Sequence, residues 1–194
     1  MKRLCIGAVL AGLALFVYGF VSFAVLSWHN PKPLKDERPL MAAIQASVTE
    51  PGVYMVPNQV KPDGVHRQQD EWMAASSEGP FMLAVIRPGA SRRPMVSYMA
   101  ASLVLNVGLA FLLGLILRRT GASPCRMVCL GASIGLFAAL SNWLPAANWY
   151  EYPLRHWAPY VADQTIQGAL VGAIVGWFHR ERCGGRAGAA PSGS

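Results

Sequence analysis

The sequence predicts an all-α membrane protein: four transmembrane helices, with a small α+β extracytoplasmic insert between the first and the second. Three observations carry this. The chain of 194 residues is 53% hydrophobic and only 14% charged, against about 25% charged in an ordinary soluble domain. Its apolar residues gather into runs of roughly 20, the length of helix that crosses a hydrocarbon core. Its lysines and arginines cluster beside those runs, where the flanks of membrane spans carry them.

The first span is "LCIGAVLAGLALFVYGFVSFAVLSW", Leu4 to Trp28, which contains no charge. "MKR" before it also fits a signal peptide, with Ser22-Phe23-Ala24 as a cleavage site. Signal cores are shorter, about 7–15 residues, so residues 1–28 read as an uncleaved N-terminal anchor. Residues 29–94 form the extracytoplasmic segment. "NPKP" stops the first helix, because proline removes a donor and restricts the residue before it. Pro39 to Val48 predicts a short helix opened by proline. "GVYMV" and "FMLAVI" are rich in β formers and bounded by turn residues, which predicts two paired strands. The polar stretch between them reads as a turn-rich loop, with "PDG" its clearest turn. His66, Asp70 and Glu71 can be written as metal ligands there, but a solvated loop is the better reading. No metal and no other cofactor is expected.

Residues 95–178 hold the other three spans: Met95 to Leu117, Met127 to Ala147 and Tyr160 to Phe178. Residues 179–194 are expected to be a flexible cytoplasmic tail. Charge sets the orientation. Lys2 and Arg3, then Arg118, Arg119 and Arg126, then Arg180, Arg182 and Arg186 against Glu181, all fall on one side of a four-span chain. Arg92 and Arg93 argue the other way, but three clusters outweigh one pair. Both termini are expected in the cytoplasm, in a bacterial inner membrane. The net charge of +7 is therefore topological. No basic stripe with interleaved aromatics and no finger or helix-turn-helix signature points to nucleic acid.

The cysteines support the same class. Cys5, Cys125, Cys129 and Cys183 lie in or beside apolar runs or in the tail, and the polar segment has none. A disulfide-stapled domain would concentrate them there. Cys125 and Cys129 share a helical face but lack the further ligands of a metal set, so small buried thiols are expected.

Two glycine rows say how the last spans meet. Gly168, Gly172 and Gly176 recur every fourth residue, as do Gly131 and Gly135, with Ala138 and Asn142 continuing that face. Small residues at this spacing let backbones approach in a bilayer. Gln164 extends the row of the fourth span, which predicts an amide contact with Asn142 near the outer end.

The connection "NWYEYPLRHWAPYVADQ" is then an outer hairpin. Trp143, Trp149, Tyr150, Tyr152, Trp157 and Tyr160 make an interfacial belt, and Pro153 and Pro159 keep the two spans from fusing into one helix. Asp163 follows about one turn into the fourth span. An acid near a helix N-terminus and near water is tolerated, so an interfacial anchor is favoured over a functional acid. Arg155 and His156 are the expected partners. Ionisable groups within spans tend to line pathways, however. The candidate functional polar residues are accordingly Asp163, Gln167, Gln164, Asn142, Asn106 and His156.

An N-terminal anchor, a "PGVYMVP" piece in the outer segment and three spans around a "NWY…D" hairpin resemble a set of small four-span bacterial inner-membrane proteins, themselves uncharacterised. The resemblance implies the topology and brings no activity. No Walker loop, GxSxG elbow or HExxH appears, and no catalytic residue is assigned. The reading favoured is a non-enzymatic scaffold or accessory subunit, partnered by lipid and by other membrane proteins or itself. The alternative is a small oligomeric transporter or membrane enzyme with a polar pathway at Asp163, Gln167, Asn142 and Asn106, and His156 as proton partner.

Overall fold

The structure, a computed structural model, describes residues 2–89 and 93–187, with side chains as far as residue 178. Arg92, the side chains of Arg180, Glu181, Arg182, Cys183 and Arg186, and residues 188–194 lie outside the described residues. Most of the described chain is helical. In order it forms α1 (Lys2–Phe20), α2 (Arg38–Ser47), β1 (Gly52–Val56), α3 (Gln69–Glu78), β2 (Met82–Ile86), α4 (Met95–Arg119), α5 (Pro124–Tyr150) and α6 (Leu154–Ala187). Two compact units result, Met1–Pro31 with Arg93–Ser194, and Lys32–Arg92.

The second unit is small. β1 and β2 pair antiparallel, with Gly52 opposite Ile86 and Val56 opposite Met82. The "PDG" turn closes through Lys61 N–H to the Val65 carbonyl at 2.9 Å, with Gly64 at φ +82°, a conformation that favours glycine. The stretch expected to be all loop contains α3, opened by Asp70 and Glu71 in its first turn, where acids complement the helix dipole. The Trp72 indole N–H holds α3 to the chain after β1 by donating to the Pro57 carbonyl at 3.2 Å. At the mouth of α2, the Arg38 guanidinium and backbone N–H both donate to Asp36, holding its carboxyl below the usual range.

The first unit is a helix bundle. Among the described residues, three of its helices are long and apolar enough to cross a membrane: α1 with its extension to Val25, α4, and α5. Large apolar side chains along them face outward, among them Val9, Leu13, Leu105, Leu109, Leu112 and Phe137. The longest helix, α6, is diluted by Asp163, Gln164 and Gln167 and is not one of the three. It is nevertheless the most extensively packed helix, lying against α5 along much of its length and also against α1 and α4. The core between α1, α4 and α6 is built from Leu4, Ala11, Leu15, Ala110, Leu117, Val171 and Val175.

Local chemistry fixes the helix ends. Thr120 turns back on α4, its hydroxyl donating to the Leu117 carbonyl at 2.6 Å, and Gly121 follows at φ +62°, a common way to end a helix. Pro124 opens α5 at its first position, where no hydrogen bond is lost. Of the two prolines inside these helices, Pro159 runs against expectation, whereas Pro145 falls within the expected third span. Pro145 lies within α5, and Pro159 lies within α6, which already begins at Leu154. The connection is thereby cut to three residues, Glu151 to Pro153, with Glu151 in the left-handed region at φ +51°. Neighbouring helices serve the carbonyls that such prolines free, so apolar bundles tolerate them. The expected flexible tail also starts in helix, since α6 runs on to Ala187.

α5 and α6 meet through backbone. A Cβ at Gly131 would strike the Gly168 carbonyl, and one at Gly168 would strike the Gly131 carbonyl. Gly135 lies against the Gln164 carbonyl and Gly176 against Pro124. A Cβ at Gly172 would meet the Met127 carbonyl and sit 2.8 Å from the Val128 Cα. Cys5, Cys125 and Cys129 do not take part in this packing; they are free and exposed rather than buried. Gly172→Leu therefore forces two helices apart, whereas Ala173→Leu, exposed on the same helix, does not. We expect the first to cost at least about 1–3 kcal/mol and the second close to nothing, measured by unfolding in detergent. Equal losses would remove the close approach as a source of stability.

Candidate functional site

Asp163 is 3% exposed. It lies in the third turn of α6 rather than the first, because α6 starts at Leu154, and its side chain is enclosed by neighbouring residues. Its partners come from the other end of the sequence. α1 runs on past Phe20 into a π-helical turn, Val21–Val25, closed by the Leu26 N–H on the Val21 carbonyl at 3.0 Å. Such turns often mark functional positions in helices. Ser27 then takes φ +54° and reverses the chain, so that Trp28 and His29 fold back over Ser22.

The resulting cluster is closed. Tyr18 Oη donates to Asp163 Oδ1 at 2.8 Å. Ser22 Oγ, fully buried, lies 2.9 Å from Oδ1 and 2.7 Å from Oδ2 and donates its one proton to the carboxylate. It accepts in turn from the Trp28 indole N–H at 2.8 Å. His29 Nε2 lies 2.9 Å from Asp163 Oδ2 and 3.1 Å from Ser22 Oγ. The side chains of His29 and Asp163 are 2% and 4% exposed.

Aromatic rings wall the cluster. Phe23 stacks on one face of His29 with centroids 4.0 Å apart and planes 10° apart, and Tyr160 tilts against it at 4.4 Å. Trp143 stacks on Tyr160 at 4.6 Å. His156 belongs to this outer layer, edge-on to Trp143, Tyr152 and Tyr160. Two buried ring nitrogens here, His29 Nδ1 and Trp143 Nε1, have no hydrogen-bond partner among the described residues.

A serine, a histidine and an aspartate in contact invite comparison with a hydrolytic triad, and the geometry refuses it. A triad places serine and aspartate on opposite ring nitrogens; here both meet Nε2, and Ser22 gives its proton to the carboxylate. Ser22 is also sealed from any substrate.

The other sequence candidates are not drawn to Asp163. Arg155 and His156 are exposed and do not pair with it. Asn142 is exposed, and the expected hydrogen bond to Gln164 is absent among the described residues. Gln164 contributes its backbone carbonyl to the Gly135 contact. Gln167 and Asn106 are half-buried with no hydrogen bond to the cluster. In the second unit, Glu71 is held by Lys61 at 3.2 Å and Arg67 at 3.1 Å. No group of His, Cys, Asp or Glu fit to hold a metal occurs among the described residues. A shallow open cleft there is lined by Gln59, His66, Arg67, Gln69 and Trp72.

Sequence reasoning therefore found Asp163 and missed Tyr18, Ser22, Trp28 and His29. The available signal was the polar set Tyr18, Ser22 and His29 at the close of an otherwise apolar run. Compared with known proteins, the chain matches no family model, no curated sequence and no solved structure.

Tyr18→Phe deletes one of several donors to Asp163, and we expect a loss of about 0.5–1.5 kcal/mol. Asp163→Leu strands Tyr18, Ser22 and His29 together and should cost about 3–5 kcal/mol, the range for breaking a buried pair. Unfolding in detergent checks both. Similar costs for the two would mean that the carboxylate is not the centre of the cluster.

Proposed function

We propose that this chain is a four-span integral protein of a bacterial inner membrane, acting as a non-enzymatic scaffold or accessory subunit of a membrane assembly. One observation carries the reading: Asp163, the acid embedded among apolar helices, is enclosed on every oxygen by donors from the end of α1. It serves to join α1 to α6 and opens onto no path. The polar residues that a cargo route would need, Asn106, Asn142 and Gln167, do not converge on it.

The fourth span is α6. Lipid faces must be apolar, but a helix surrounded by other helices need not be. α6 touches α1, α4 and α5, which shields Asp163, Gln164 and Gln167 and explains why its composition is more polar than theirs. The outward apolar faces of α1, α4 and α5 are offered to lipid or to a partner's spans. Both termini lie in the cytoplasm in this reading, and the Lys32–Arg92 unit lies outside. The resemblance to small four-span inner-membrane proteins is consistent with it.

Two measurements test the proposal. An impermeant thiol reagent applied to intact spheroplasts should label Gly64→Cys and spare Ser192→Cys; labelling of the tail would overturn the orientation and the even number of spans. Purification of the tagged chain in mild detergent should recover a defined membrane-protein complex. Recovery as a lone chain that catalyses ion flux in liposomes would replace the scaffold reading with a transporter.

A further inference from the structure

α2 is a helix without a core of its own. None of its 10 residues, Arg38–Ser47, is buried, and only Ile44 is half-buried. Leu40 is 39% and Met41 54% exposed. At helical spacing Leu40, Met41 and Ile44 share one side, while Arg38, Ala42 and Ala46 fall on the other. A helix this short is marginal in water, and packing of its apolar side normally supplies the stability. Among the described residues no other element lies along α2.

Size and attachment decide what covers that side. A helix of 10 residues is about 15 Å long and about 10 Å wide, so the side measures roughly 150 Å². A stable protein interface takes about 800 Å² from each partner, so α2 alone does not hold a second copy or another protein. A bilayer surface needs no matching shape, and amphipathic helices settle into it with the apolar side down. α1, with its extension to Val25, is long and apolar enough to cross a membrane, and 12 residues separate Val25 from Arg38. That stretch reaches at most about 45 Å, which keeps α2 near the interface where α1 ends. Attachment to a span makes docking intramolecular, so a small apolar side suffices. Leu34, 55% exposed, adds apolar surface in the connection. Charge agrees with lipid. α2 contains no acid, and Lys32, Lys35 and Arg38 outnumber Asp36 and Glu37, which suits anionic headgroups.

We propose that α2 is an interfacial helix that lies in the bilayer surface where α1 ends. Leu40, Met41 and Ile44 enter the acyl boundary, and Ala42 and Ala46 face water. The inference rests on α1 crossing the membrane. It is independent of a scaffold or transporter role and of the side of the membrane that α2 occupies.

The full chain, with Cys5, Cys125, Cys129 and Cys183 replaced by alanine, is reconstituted into vesicles of phosphatidylethanolamine and phosphatidylglycerol. A nitroxide is attached at Met41→Cys, Ala46→Cys or Leu13→Cys, three exposed positions where a label disturbs little packing. Electron paramagnetic resonance measures its collisions with oxygen, which concentrates in lipid, and with a water-soluble nickel chelate. We expect the oxygen-to-nickel ratio to be highest at Leu13 and several-fold higher at Met41 than at Ala46. A Leu13 label that meets nickel freely means that α1 is not a span, and the four-span reading falls together with this one. With Leu13 in lipid, equal ratios at Met41 and Ala46 leave α2 in water and overturn the interfacial helix alone. A Met41 label shielded from both reagents marks a protein cover and overturns it as well.

Discussion

An ionised carboxylate in apolar surroundings must be met by donors, since leaving it bare is far more costly than any packing gain nearby. At Asp163 the donors all belong to residues 18–29, and they reach it only if the end of α1 lies at one height and one rotation against α6. That single alignment sets much else. It brings Leu4 and Leu15 into the core shared with Val171 and Val175, seats Gly7 against Phe178 and lets Gly12 lie directly on Val107 of α4. Apolar contacts alone are tolerant of sliding; a carboxylate with directional partners is not. The π-helical turn at Val21–Val25 and the reversal at Ser27 are the local distortions that bring Ser22 and His29 onto one acid.

The bundle distributes polarity by shielding. α6 is the most extensively packed helix and the most polar in composition, while α1, α4 and α5 turn broad apolar faces outward. Along α5 the shielding is so close that backbone meets backbone, with Gly131 and Gly168 each occupying the space a side chain of the other would need. Close approach at glycine gains van der Waals contact without depending on expulsion of water, which suits helices whose surroundings are as apolar as their side chains.

What the sequence disclosed follows the range of the interaction involved. The apolar runs, the β1–β2 pair and the glycine rows are periodic, local patterns, and they could be read from composition and spacing. α3 was masked because its polar residues resemble a loop, and its helical start depends on acids placed in the first turn. Pro159 was read as a break, although a bundle can absorb it. The site was half legible. Asp163 is conspicuous in an apolar run, but its partners lie more than a hundred residues away, and nearby His156 and Arg155 were more obvious than distant His29. Nothing local to Ser22 marks it as a hub.

That distance has a consequence for biosynthesis. The donors precede Asp163 by 134 to 145 residues, and at about 5–20 residues per second of translation the acceptor arrives roughly 7–30 s after them. During that interval Tyr18, Ser22 and His29 must find temporary partners. Their position at the end of α1, rather than at its middle, puts them beside the polar chain that follows Trp28 until α6 emerges. A newly made α1 is thus a finished helix awaiting its counterpart, and an interrupted chain that stops before α6 would expose a polar end that quality control can recognise.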